Sequence, residues 1–213
     1  MPDHLDLSDS STFNDLPCPS PLLMPPQRFD SKVINGIDHF EYMGRAQFHE
    51  LQERINDNIF QKGAETIYLY GTSGSGKSHL LAALVYHLVR KGQRVFYIPD
   101  CSRLLLDPVE TMWNAYHFAY NDSSDLRTTE SVKELIESMR NDREVYIIVD
   151  QVNALESETN KEVKDQVSRW LRTLRSNHRY IFSASANEKS NQDAEKKQNG
   201  ISVFPMFGGM NLV

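Results

Sequence analysis

The stretch YLYGTSGSGKSHLL, Tyr68 to Leu81, joins two apolar runs through eight residues drawn only from glycine, threonine, serine and lysine. Upstream, TIYLY (66–70) is a short β-branched and aromatic run that predicts a buried strand. Downstream, LLAALVYHLV (80–89) is apolar almost all round, which predicts a buried helix. Between them Gly71-Thr72-Ser73-Gly74-Ser75-Gly76-Lys77-Ser78 fits G-x-x-x-x-G-K-[ST] in the strand-loop-helix setting that gives this pattern its meaning. Glycines let the backbone curl so that successive N–H groups face inward around phosphate oxygens, and the helix N-terminus adds the positive end of its dipole. Lys77 would then contact the β- and γ-phosphates, and the Ser78 hydroxyl would ligate Mg²⁺; a Gly/Ser connector that happens to hold a lysine is the alternative. His79, the next residue, is counted with the loop, with packing in the helix as its alternative.

Working outward, RVFYIP (94–99), EVYIIVD (144–150), RYIFSAS (179–185) and ISVF (201–204) read as further strands. Helical stripes fall between them: Val109, Met112, Trp113 and Tyr116; then Val132, Leu135, Ile136 and Met139; then Val163, Val167, Trp170, Leu171 and Leu174. Thr159 and Glu162 have capping-box spacing for the last of these. Strands alternating with helices predict an α/β fold of three layers, with a mostly parallel sheet of about five strands and right-handed crossovers. Asp150 ends the most strand-like segment, where an acid would face a metal ion at the carboxyl edge of the sheet. Gln151 follows; its amide cannot take a proton from an attacking water, but it can orient one, so slow turnover is expected.

At 213 residues and 39% apolar content the chain suits one buried domain with extensions. Residues 1–31, rich in Pro, Ser and Asp, read as a disordered tail, 32–63 as an N-terminal helix with its preceding turn, and 64–213 as the core. A net charge of −6 gives no support to nucleic acid as a partner, and no window is long and apolar enough to span a membrane. Cys18 and Cys101 suggest neither a disulfide framework nor a zinc cluster. The start lacks a secretory pattern, so a soluble, intracellular protein is the default.

Other polar residues leave two readings open. Asp100 suits either the crevice beyond the strand ends or a loop cap. Ser183, Ser185 and Asn187 suit either sensing of a γ-phosphate or simple strand termination. Arg169, Arg172 and Arg175 suit a solvated helix face, or a finger reaching a neighbouring copy.

FEYMGRAQFHELQERI (40–55) resembles the Gly-Arg box and helix that precede the phosphate loop in AAA+, STAND and archaeal-type ATPases. That likeness puts Met43, Gly44 and Arg45 beside an adenine base; a turn before an amphipathic helix is the alternative. Taken with GTSGSGKSHLLAALV, VFYIPDCSRLLLDPVETMWNAYHFAYND and YIIVDQVNALE, the chain resembles the P-loop NTPase module of the Crinkler effector family over roughly residues 40–210. The resemblance implies ATP and Mg²⁺ as cofactors, Lys77, Asp150 and Gln151 as catalytic residues, and a homo-oligomer or partner protein that supplies arginines. The chain departs from that plan at both ends. Its first residues are not the family's header, so delivery to a host nucleus does not carry over, and at FPMFGGMNLV the helical lid is expected to be missing. A non-hydrolysing switch and a small-molecule kinase are the rival functions; no N-K-x-D segment supports GTP.

Overall fold

The structure, a computed structural model, describes residues 6–18, 29, 31–57, 66–120, 128–185 and 201–205. Three strands come first: β1 (Phe13–Pro17), β2 (Ser31–Ile34) and β3 (Ile37–Met43). They form an antiparallel sheet in the order β1-β3-β2. Asn35 and Gly36, at φ 53° and 76°, make the tight turn between β2 and β3, the two left-handed positions that an Asn-Gly hairpin supplies. The tail expected over 1–31 is therefore corrected at 13–17 and at Ser31, and the turn expected ahead of the helix in 32–63 is corrected at 32–34 and 37–43; all of these are strands. Alone, β1 has too little apolar surface to order itself. Paired with β3, it buries Leu16 opposite Phe40, and Leu7 and Phe29 join the same core. Helix α1 (Ala46–Asn56) follows and buries Phe48, Leu51 and Ile55 as its spacing predicts; Ile59 and Gly63 lie outside the described residues.

The remainder runs β4 (Thr66–Gly71), α2 (Lys77–Arg90), β5 (Val95–Ile98), α3 (Cys101–Leu106), α4 (Pro108–Tyr120), α5 (Thr129–Met139), β6 (Tyr146–Val149), α6 (Ala154–Ser157), α7 (Lys161–Asn177), β7 (Arg179–Ser185) and β8 (Ile201–Pro205). The five strands form one sheet in the order β5-β6-β7-β4-β8. Every pairing in it is parallel. Both faces are covered, which explains the unbroken apolar runs. Val95, Tyr97, Tyr146, Ile148, Ile67, Leu69 and Ile181 pack toward α2, α1 and the N-terminal sheet. Phe96, Ile98, Ile147, Val149 and Tyr180 pack toward α3, α4, α5 and α7. Each fully buried aliphatic side chain among them contributes about 1.5–3 kcal/mol.

Two local expectations change. Asn160, not Thr159, caps α7: its side chain accepts from the Glu162 and Val163 N–H groups at 3.1 and 3.4 Å. The stretch after β5 is two helices rather than one, because Asp100 caps α3 and Pro108, which has no N–H to leave unpaired, opens α4. The segments 186–200 and 206–213, including Asn187 and the terminus where the lid was expected to be missing, lie outside the described residues.

Candidate nucleotide-binding site

The sheet order brings the carboxyl ends of β4, β7 and β6 side by side, so the loop after β4, Ser183 on β7 and Asp150 after β6 share one edge. Open parallel sheets bind ligands there. A cavity of about 280 Å³ opens at that edge, lined by Ser73, Gly74, Gly76, Lys77, Ser78, His79, Asp150, Gln151 and Ser183. Gly71 and Thr72 enter the site through their carbonyls, and Ser75 is buried behind the loop.

The loop gets its curl from Gly74 and Gly76, at φ 80° and 81°, a region that costs other residues about 1 kcal/mol or more. Gly76 then caps α2, and the first helical bond runs from the Leu80 N–H to its carbonyl at 3.0 Å. Lys77 is buried, and its ammonium donates to the Gly71 and Thr72 carbonyls at 2.8 Å each and to Ser75 Oγ at 3.2 Å. A buried cation needs such partners. These carbonyls hold the lysine within the loop, on the wall of the cavity.

Asp150 is fully buried. The Ser183 hydroxyl donates to Asp150 Oδ1 in a short hydrogen bond and accepts from the Gln151 N–H at 3.3 Å. Ser183 thus ties β7 to the end of β6, a role distinct from terminating a strand. Gln151 stands at φ 60°, an uncommon conformation for a residue with a side chain. Its side-chain Nε2 is buried with no hydrogen-bond partner among the described residues. An unpaired buried amide costs about 1–3 kcal/mol, which a ligand or water in the cavity would relieve. Cys101, beside Asp150, has its thiol pushed up to about 12 by burial, with Asp100 and Asp150 adding to it, so it is no nucleophile at neutral pH.

The remaining residues divide. Asp100 accepts from the Ser102 N–H at 2.8 Å, as a helix cap. Arg172 and Arg175 border a separate cavity with Leu171, Tyr180 and Phe182, while Arg169 is exposed; none of the three lines the loop cavity. His79 sets its ring edge-on to Phe29, 4.2 Å between centroids. Gly44 is needed for room: a Cβ there would run into the backbone of Asp9. Arg45 donates from Nη1 to the Ser75 carbonyl at 2.7 Å. Its guanidinium rests on the backbone of the loop. Ser183 was legible only as a polar strand end; its tie to Asp150 depends on β7 lying beside β6. No cluster of three or more metal-ligating side chains exists among the described residues. None of their helices is long and apolar enough to cross a membrane.

Among solved structures, the chain is similar to a DNA replication initiation factor, at 16% identity and TM-score 0.43 over 75% of this chain and 46% of that one. AMPPCP-bound DnaA from Aquifex aeolicus matches at 14% and 0.45 over 76% and 47%. PCH-2 from C. elegans matches at 16% and 0.36 over 75% and 40%. The chain thus spans less than half the length of each of these relatives. No curated protein is significantly similar to it in sequence. The model of one family, described as Novel STAND NTPase 1, matches residues 36–189, well over half of the chain and all of the site's residues, and the chain therefore belongs to the Novel STAND NTPase 1 family.

Proposed function

We propose that the chain binds ATP with Mg²⁺ and hydrolyses it slowly. One observation carries this reading: a single cavity gathers the loop residues Ser73, Gly74 and Gly76 to His79 with Asp150, Gln151 and Ser183. Both cofactors suit the donors present. Two glycines at positive φ and a buried lysine make a cradle for phosphates. Ser78 and Asp150 offer the hard oxygens that Mg²⁺ prefers, and two protein ligands suffice for an ion that keeps waters and phosphate oxygens. When bound, the ion would neutralise charge building up on the phosphates. Lys77 would exchange its loop carbonyls for phosphate oxygens, and Gln151 would use its unpaired amide to orient a water. With no carboxylate at 151 to accept that water's proton, turnover is slow. The Asp150-Gln151 pair and the segment Pro99-Asp100-Cys101 support a Crinkler-like module as the finer reading.

Titration calorimetry with ATP and Mg²⁺ tests the proposal. Lys77→Ala should weaken binding at least about tenfold, since it removes a charged donor to phosphate; equal affinity in the two proteins would overturn it. The second reading, a non-hydrolysing switch, is favoured by Gln151. Tight ATP binding with no ADP formed over hours in a single-turnover assay selects it.

A further inference from the structure

The Ser75 carbonyl and the Gly76 N–H belong to one peptide unit, and in a trans unit these two groups point in opposite directions. No peptide bond among the described residues is cis. Arg45 takes hold of the carbonyl end, with Nη1 2.7 Å from the oxygen. Gly76 borders the loop cavity, and Arg45 is not among the residues that line it. The guanidinium also fills the place where a Gly76 Cβ would stand. The Gly76 N–H lies on the opposite side of the unit from the oxygen that Arg45 holds, and it meets no acceptor among the described residues. We propose that Arg45 is a positioning residue that aims the Gly76 N–H at a bound phosphate. The proposal rests on the nucleotide reading above and deepens it.

The side chain is well placed to do this. A charged donor makes a stronger hydrogen bond than a neutral one, and polarising the carbonyl strengthens the N–H of the same unit as a donor. The bond is part-buried, with Ser75 only 4% exposed, so it is less screened than a contact on the surface. Arg45 is itself held by the chain's beginning. Its N–H donates to the Leu7 carbonyl at 3.0 Å, and the Gly44 N–H donates to the Thr12 carbonyl at 3.2 Å. Asp9 packs so closely on Gly44 that no side chain fits between them. Residues 7–12 therefore set Arg45, and Arg45 sets the phosphate loop. Displacing the first strand's approach would loosen phosphate binding without touching any residue that lines the cavity.

Pyrophosphate, which has phosphates and no base, is the discriminating probe. With the full chain, Arg45→Met, which keeps a stem of similar reach and removes the donors, should weaken pyrophosphate and ATP by the same factor, about tenfold. Arg45→Lys, which still offers an ammonium to the carbonyl, should stay within about threefold of the parent. If Arg45→Met weakens ATP and leaves pyrophosphate unchanged, Arg45 serves the base and the proposal fails; unchanged affinity for both also overturns it. A parent chain that binds neither ligand removes the nucleotide reading as well. If Arg45→Met does not fold, the parent alone decides: the Gly76 amide proton resonance should move downfield on saturation with pyrophosphate, and a stationary one overturns the proposal.

Discussion

At residue scale, the site contrasts two side chains that follow one another. Asp150 is buried and bonded to Ser183, so its place is fixed from two sides. Gln151 is held in a left-handed conformation with its side-chain amide nitrogen unpaired among the described residues. This residue sets the rate in the proposed chemistry, and changing it should act on turnover more than on affinity. Gln151→Glu places a proton acceptor of nearly the same shape at the same point. It should raise the rate of ADP formation by at least about tenfold, toward the roughly 10²–10⁴-fold that general bases give, while ATP affinity stays within a fewfold. Equal turnover in the two proteins would show that position 151 does not govern the water. The residue types at these positions were legible in the sequence, because an acid after an apolar strand and the glycine-lysine spacing are local signals. The orientation of Arg45 was not, since it depends on a backbone thirty residues further along the chain.

At the scale of elements, strands and helix stripes were readable wherever burial is continuous. The four apolar residues of β6 are all buried, and α7 buries Val167, Trp170, Leu171 and Leu174 on one face. Helix ends were harder, because neighbouring polar residues compete for one capping position and only the backbone angles decide. Asn160 won over Thr159 by standing where its oxygen reaches two N–H groups. Asn160→Ala should cost about 1 kcal/mol of stability, the usual loss for a cap, seen as a melting point lower by a few degrees at this chain length. Thr159→Ala should leave the melting point where it is. The strand β1 was missed for a different reason: its order comes from its partner, and pairing across a gap in sequence leaves no periodic trace in five residues.

At the scale of the whole molecule, two layers meet along α2, which packs on the parallel sheet with one side and on the N-terminal unit with the other. His87 sits at that junction, with its Nε2 2.7 Å from the Gln52 amide nitrogen and its ring edge-on to Phe48. Burial lowers its pKa to about 4 from 6.5, with Lys91 and Arg90 adding to the effect. Between those values the unfolded chain takes up a proton that the folded chain refuses, so stability is complete above about 6.5 and falls as pH drops toward 4. Melting curves at about pH 7.5 and about pH 5 should show a larger loss for the parent than for His87→Gln, which keeps a polar partner for Gln52 without the proton. Equal losses would place the acid sensitivity elsewhere. The same sheet has a consequence for biosynthesis. β4 leaves the ribosome before both strands that flank it, β7 and β8, which lie far downstream of it, with Thr66 waiting for Tyr180 and Ile201. Until they arrive, the strand that carries the phosphate loop has two open edges, so nascent chains halted short of β7 are the ones that would need a chaperone.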